Sequence, residues 1–227
     1  MPVSLYKADM IDVATLPAAR RKLYSKGYDR WVRFCQLSSH WMVKLLAWLY
    51  LGNFVCELER SDLKSSKHYV LVVNHQYNID PTILLSTLPA DVVTKLRTFR
   101  VFAHTFFFYN PFNRFILTSL GGFPTKEHPF LPYGLAYAKD QLREGHPVVI
   151  FPEGKMAREG RLPAKMGVEV MAQWKKVMLI PVHLEWRGQW PGFRFAGRKV
   201  DMHIGKPFSG KGMTAQEILD RVYDLPV

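Results

Sequence analysis

The chain has 227 residues, which is enough for one sizeable globular domain. Hydrophobic residues make up 48% and charged residues 22%, proportions that exclude intrinsic disorder, a collagen-like repeat and a coiled coil as descriptions of the whole chain. Lys and Arg number 31 against 19 Asp and Glu, so the formal net charge is +12. A surface this basic favours an anionic partner: nucleic acid, acidic lipid headgroups or a polyphosphate substrate.

The two cysteines, Cys35 and Cys56, are too few for a disulfide framework, which favours a reducing compartment. Residues 1–12 lack the apolar core of a secretory signal. The histidines show no metal-ligand spacing, so no metal site is predicted.

Residues 1–52 are predicted to form a helical segment, with Gly27 and Gly52 as helix-ending glycines. On a helix of roughly 100° per residue, an arc of about 80° contains Lys26, Arg30, Arg33, His40 and Lys44. Outside that arc lie Trp31, Phe34, Trp41, Leu45 and Leu49. Within residues 34–56, the longest uncharged stretch is 45–56, which is shorter than the roughly 20 residues that a spanning helix needs. We therefore expect an amphipathic, membrane-associating segment of a peripheral or monotopic protein facing the cytoplasm; packing on its own domain is the alternative.

Residues 53–227 are predicted to form a second unit, an α/β domain with a mostly parallel central sheet flanked by helices. Short apolar runs that read as strands lie at 54–59, 68–74, 98–104, 146–151, 177–185 and 199–204. Segments that read as helices lie at 81–88, 111–120, 132–143, 165–175 and 214–223. Ligands of such sheets bind beyond the carboxyl ends of the strands, so polar residues at those ends are the candidates for a site.

The first candidate motif follows the apolar run that ends at Val73. Asn74-His75 comes directly after the run, and Asp80-Pro81 follows five residues after the histidine. On a regular helix, five positions separate two side chains by about 140°, so His75 and Asp80 meet only if a turn lies between strand and helix. An imidazole could then take a proton from a hydroxyl while the carboxylate fixes its tautomer. Asp before Pro is also an ordinary start of a helix, so a purely structural role remains open.

The second candidate motif is Phe151-Pro152-Glu153-Gly154-Lys155, which ends another apolar run. Glu153 leaves a carboxylate at the strand end, and Gly154 allows a ligand to approach the backbone closely. The cations that a phosphate-binding loop requires are Lys155, Arg158, Arg161 and Lys165. A solvated basic turn is the structural alternative.

The two motifs together resemble the glycerolipid acyltransferase family, the lysophosphatidate and glycerol-phosphate acyltransferases. Two further blocks stand in the family's order, Gly122-Phe123-Pro124-Thr125-Lys126 and Leu179-Ile180-Pro181-Val182. The resemblance covers about residues 54–208. It implies that His75 is the general base and that Asp80 orients it. It implies a substrate site formed by Asn74, Lys126, Glu153, Gly154, Lys155 and Arg158.

The resemblance further implies an O-acyltransferase that moves a fatty acyl group from acyl-CoA or acyl-carrier protein to the free glycerol hydroxyl of a lysophospholipid, with lysophosphatidate as the expected acceptor. Its expected partners are this donor and membrane lipids, without a cofactor, a metal or nucleic acid. Lys126 replaces the family's Arg, and Lys155-Met156 replaces its Thr and Arg. An acceptor without a phosphate monoester, such as a lyso-aminolipid or a glycolipid, therefore remains open. An alternative of another class is a non-catalytic binder of anionic membrane or nucleic acid.

An aromatic run between Phe99 and Phe115 is expected to line an acyl-chain groove or to face a membrane, with core packing as the alternative. The cations expected to meet the phosphates of the donor are Lys95, Arg97 and Arg100.

Overall fold

The structure is a computed structural model that describes residues 23–96, 98–125, 134–157, 160–188 and 199–226, with the backbone alone for 40–43 and 45–50. The predictions for residues 1–22, and for the side chains of His40, Trp41, Leu45 and Leu49, lie outside this description.

The described part of the chain folds around one seven-stranded sheet. The strands are β1 (Leu51–Cys56), β2 (His68–Val73), β3 (Arg100–Ala103), β4 (Gly122–Pro124), β5 (Val148–Ile150), β6 (Val177–Arg187) and β7 (Lys199–Ile204). The α-helices are α1 (Lys26–Tyr50), α2 (Asp80–Thr87), α3 (Ala90–Leu96), α4 (Pro111–Ser119), α5 (Gly134–Arg143), α6 (Gly167–Ala172) and α7 (Ala215–Tyr223). Short 3₁₀ helices cover Arg60–Asp62 and Thr105–Phe108.

The strand order is β1-β7-β6-β2-β5-β3-β4. Every neighbouring pair is parallel except β6 and β7, which run antiparallel. The predicted α/β class with a mostly parallel sheet flanked by helices is confirmed.

Side chains of β2 point alternately to the two faces of the sheet, and this explains the layers of the fold. Val70 and Val72 face one side of the sheet, where they join a hydrophobic cluster with residues of α5, α6 and α7. Leu71 and Val73 face the other side, in a cluster with residues of α2 and α3. All four side chains are fully buried, as is typical of a parallel strand covered on both faces.

Two glycines predicted to end helices occupy other positions in the structure. Gly27 lies in the first turn of α1 rather than at the end of a helix. Gly52 lies inside β1, which begins at Leu51, three residues before the predicted start. The Asp201 carboxylate occupies the space that a side chain at position 52 would need, and it accepts a hydrogen bond of 2.7 Å from the backbone N–H of Asn53. Close approach of Asp201, not helix termination, explains Gly52.

Helix α1 packs on α2 and α4 and also carries exposed apolar side chains. Its packed side includes Tyr28, whose hydroxyl donates to the Thr118 carbonyl at 2.8 Å, and the fully buried Val32. Its exposed side includes Phe34, 62% exposed, and Leu37, 48% exposed. Among the described helices, none combines the length and apolar character needed to cross a membrane.

Candidate active site

A tight turn after β2 brings His75 and Asp80 together. His75 lies two residues beyond the strand, and Asp80 is the first residue of α2, with Ile79 at the N-cap. Nδ1 of His75 lies 3.0 Å from Oδ2 of Asp80. The same oxygen accepts the backbone N–H groups of Gln76 at 2.7 Å and Tyr77 at 2.8 Å. Because a carboxylate only accepts, Nδ1 carries the proton and Nε2 is left as the basic atom of the ring.

Trp186, at the end of β6, completes the surroundings of Asp80. Its indole Nε1–H donates to Oδ1 of Asp80 at 2.8 Å. Its backbone N–H donates to Oε1 of Gln76 at 3.0 Å, which ties the turn to the neighbouring strand. Asp80 is fully buried, so these donors supply the solvation that water cannot. Trp186 was not predicted as a site residue, because the predicted strand ended one residue before it.

Asn74 and Glu153 lie behind His75. The Asn74 amide exchanges two hydrogen bonds of 2.7 Å with the backbone of Leu184 and is fully buried. Glu153 is 1% exposed, and its Oε2 accepts the His75 backbone N–H at 2.8 Å. Its Oε1 accepts the hydroxyl of Tyr223 at 2.7 Å, a second partner that the sequence analysis missed. Substrate contact by Asn74 and Glu153 stays a prediction, while their observed bonds hold the loop that carries His75.

Gly154 follows Glu153 in the left-handed region, with φ of 66°. A Cβ atom at this position would lie 2.6–2.7 Å from the side chain of Lys165, which covers the glycine. Gly154, Lys155 and Lys165 all line the same cavity as His75. Two predicted substrate residues, Lys126 and Arg158, lie outside the described residues.

The cavity beside His75 has a volume of about 1010 Å³. Its wall is mostly apolar and includes Leu37, Leu85, Phe102, Phe106, Ile116 and Leu117. The wall also includes two basic residues, Lys155 and Lys165. The space therefore suits a molecule with a long apolar part and an anionic group.

The aromatic run divides between the core and the surface. Phe99, Phe102 and Phe108 are buried, as the core-packing alternative expects. Four other aromatic side chains are 60–71% exposed: Phe106, Tyr109, Phe112 and Phe115.

The expected contact of Arg100 with donor phosphates is wrong. Arg100 is fully buried, pairs with Asp29 of α1 and donates from Nε to Gln141 at 2.6 Å. Lys95 is half-buried and donates to Ser65 at 3.2 Å, and Arg97 lies outside the described residues.

The fold also gathers Asp29, Glu144 and His146, whose potential ligand atoms lie within 4.8 Å of one another. Histidine spacing could not have indicated this group, since its members come from α1 and from the loop before β5. The guanidinium of Arg100 already pairs with Asp29, and its charge disfavours a second cation there.

Fold and site together define an α/β domain in which a strand-end imidazole, held by a buried carboxylate, opens onto an apolar cavity. The Acyltransferase family model matches residues 55–185, more than half of the chain. The chain therefore belongs to the Acyltransferase family, and the protein is an acyltransferase, as the glycerolipid acyltransferase motifs predicted.

A solved structure shares this fold. The 1-acyl-sn-glycerophosphate (LPA) acyltransferase PlsC from Thermotoga maritima is 20% identical, with a TM-score of 0.54 over 83% of this chain and 77% of that chain. No curated protein sequence matches this chain.

Proposed function

We propose that this acyltransferase moves a fatty acyl group from the thioester of acyl-CoA or acyl-carrier protein to the free glycerol hydroxyl of a lysophospholipid, with lysophosphatidate as the acceptor. One observation carries the proposal: His75 is bonded through Nδ1 to Asp80 and lines a cavity that suits an acyl chain. The fold likeness to PlsC, an LPA acyltransferase by its title, supports the same chemistry.

The proposed step is direct transfer between the two substrates. Nε2 of His75 takes the proton of the acceptor hydroxyl while its oxygen forms a bond to the thioester carbonyl carbon. The C–S bond then breaks, and the imidazolium returns its proton to the leaving thiolate. The products are an ester and a free thiol, so no covalent acyl-enzyme and no cofactor are needed. Asp80 holds the tautomer and stabilises the imidazolium during the step.

Two lysines support an acceptor with a phosphate group. Lys155 and Lys165 line the cavity together with His75. An ammonium attracts a phosphate as a point charge without fixing its orientation, unlike the planar guanidinium of Arg. The competing acceptor is a lysolipid without a phosphate monoester, such as a lyso-aminolipid or a glycolipid, for which these two charges would be dispensable.

An exposed apolar surface supports association with membrane lipids. We name it the aromatic face: Trp31, Phe34 and Leu37 of α1, with Phe106, Tyr109, Phe112 and Phe115 on and before α4. The indole N–H of Trp31 donates a hydrogen bond of 3.0 Å to the hydroxyl oxygen of Ser119, which joins the two helices. Leu37 and Phe106 also line the cavity, so the cavity opens at this face. A peripheral or monotopic protein that binds the cytoplasmic leaflet through this face would receive its lipid substrates directly.

The test is mass spectrometry of lipid products from a mixed lysolipid pool, with acyl-CoA and acyl-carrier protein offered separately. The wild-type protein should acylate lysophosphatidate, and His75→Gln should abolish the reaction. His68→Gln, at the opposite end of β2, is the matched control and should keep it. Acylation only of phosphate-free acceptors would replace the proposed acceptor, and full activity of His75→Gln would remove His75 from the mechanism.

A non-catalytic role is the candidate from another class. The net charge of +12 would then supply affinity for anionic surfaces. Binding would weaken as the salt concentration rises, and replacement of His75 would not change it. Acyl transfer by the wild-type protein that is lost in His75→Gln contradicts this candidate.

A further inference from the structure

The Glu153 carboxylate links Tyr223 to the backbone of His75. The hydroxyl of Tyr223 donates to Oε1 of Glu153 at 2.7 Å, and Oε2 of Glu153 accepts the His75 N–H at 2.8 Å. Tyr223 ends α7, beyond residues 55–185 that match the family model. A residue outside the matched region therefore contacts the support of the proposed base.

Glu153 depends on these donors because it is 1% exposed. Within the described structure, its carboxylate accepts from Tyr223, from His75 and, at 3.3 Å, from the Leu162 backbone. A buried carboxylate that loses a donor is poorly solvated and shifts towards other partners. Burial and the hydrogen bond to Glu153 raise the pKa of Tyr223 well above its ordinary range, so its hydroxyl remains a donor and cannot act as a base near neutral pH.

Two histidines hold the chain that follows Tyr223. We name residues 223–226 the C-terminal strap. Nδ1 of His183 donates to the Leu225 carbonyl at 2.7 Å, and Nδ1 of His203 donates to the Pro226 carbonyl at 2.7 Å. The His183 ring also packs edge-on against Tyr223, with centroids 5.2 Å apart. Since His183 lies on β6 and His203 on β7, the strap is tied to the central sheet.

The ring of Tyr223 makes a further contact with the segment that follows Gly154. The guanidinium of Arg161 lies over the ring, 4.2 Å from the centroid. Tyr223 thus contacts residues on both sides of Gly154, Glu153 through its hydroxyl and Arg161 through its ring face.

We propose that Tyr223 is a positioning residue for acyl transfer: by holding Glu153, it keeps the backbone of His75 in place for proton transfer. The proposal rests on the function proposed above. It assigns no proton transfer to Tyr223, and it makes the C-terminal strap part of the support of the active site.

The experiment compares Tyr223→Phe with wild type, using an acyl thioester and the acceptor identified from the lysolipid pool. Phe keeps the ring under Arg161 and removes only the hydroxyl. We expect kcat to fall about tenfold with KM changed by less than about twofold, because the ground-state contacts of the acceptor remain. Tyr137→Phe is the matched control, since its buried hydroxyl bonds to the Leu23 carbonyl away from His75, and it should keep the wild-type kcat.

A double-mutant cycle separates positioning from general stability. Glu153→Gln combined with Tyr223→Phe should be no slower than Glu153→Gln alone, because both changes act through the same contact. Additive losses, or an equal loss of kcat in Tyr137→Phe, would overturn the proposal.

A spectroscopic measurement that needs no turnover distinguishes a failure of the positioning role from a failure of the proposed acyl-transfer function. The amide resonance of His75 in a ¹⁵N–¹H spectrum should move in Tyr223→Phe and stay in Tyr137→Phe. An unmoved resonance overturns the positioning role even if acyl transfer is observed. A moved resonance in a protein that acylates no acceptor supports the link from Tyr223 to His75 and refutes the proposed acyl-transfer function instead.

Discussion

The indole N–H of Trp186 donates to Asp80 at 2.8 Å, to the carboxylate oxygen that His75 does not contact. The two oxygens of Asp80 are thereby engaged from two sides, one by the turn that carries His75 and one by β6. A buried carboxylate held in this way keeps one orientation, which fixes the tautomer of the imidazole.

Trp186→Phe removes this donor and keeps an aromatic ring against Tyr77, whose ring centroid lies 5.2 Å away. A hydrogen bond to a charged group contributes about 1.5–3 kcal/mol, so we expect acyl transfer to slow by about tenfold or more. Initial rates with acyl-CoA measure the effect. Trp174→Phe, where Lys139 lies 5.9 Å from the ring centroid, is the control and should behave as wild type. Equal rates in all three proteins would show that Trp186 does not support Asp80.

Gly154→Ala should cost both stability and acceptor affinity. The φ of 66° is strained for an L-residue by about 1–2 kcal/mol, and the added Cβ would displace the Lys165 side chain. Urea unfolding and the KM for lysophosphatidate measure the two effects. Gly160→Ala is the matched control, because its φ is also positive, at 75°, while nothing lies within 4 Å of a Cβ there. The control should lose stability and keep KM; a rise of KM in both variants would contradict the role given to Lys165.

Replacing Phe112 and Phe115 with Ser should weaken binding to anionic vesicles without lowering stability. The two rings are 70% and 60% exposed, so the fold gains little from them. Burial of a Phe side chain contributes about 1.5–3 kcal/mol, and even partial insertion of two rings predicts at least about a tenfold loss of vesicle affinity. Co-sedimentation measures it. Met166→Ser, which is 56% exposed and is not one of the residues of the aromatic face, is the control; an equal loss there would argue against the aromatic face as the membrane contact.

The link between α1 and the sheet should weaken in acid. Burial alone would raise the pKa of Asp29, but the hydrogen bond to His146 and the charges of Arg100 and His146 together lower that pKa below its ordinary 3.8. The folded state therefore binds this proton less readily than the unfolded chain does. The contribution of Asp29 to stability is complete above pH 3.8 and is lost as the pH falls through the folded-state pKa. Urea unfolding of wild type and Asp29→Asn should give free energies that converge below pH 3.8; parallel curves would refute this.

Local pattern predicted the parts of the site that are close in the chain. The apolar run into Asn74-His75 and the proline after Asp80 indicated a strand, a turn and a helix start, and that turn closes the 3.0 Å contact. Trp186 and Tyr223 lie 106 and 70 positions from their partners Asp80 and Glu153, and no local pattern carries such pairing.

Local pattern also failed to predict some secondary-structure elements and the burial of Arg100. Strand β4, Gly122–Pro124, and helix α3, Ala90–Leu96, were not predicted. Strand β4 has three residues, too few to show an alternation. The sequence shows that Arg100 is a cation, but its burial depends on Asp29 and Gln141, which the fold brings from α1 and α5.

Helix α1 supplies part of the cavity wall through Arg33, Gln36, Leu37 and Ser39, although it precedes the predicted division at residue 52. A chain shortened to start after that division would leave the cavity open along one side, towards His75. Bulk water could then compete with the alcohol for the activated carbonyl. For the proposed reaction, helix α1 therefore bears on the ratio of ester synthesis to thioester hydrolysis, and not only on the proposed membrane association.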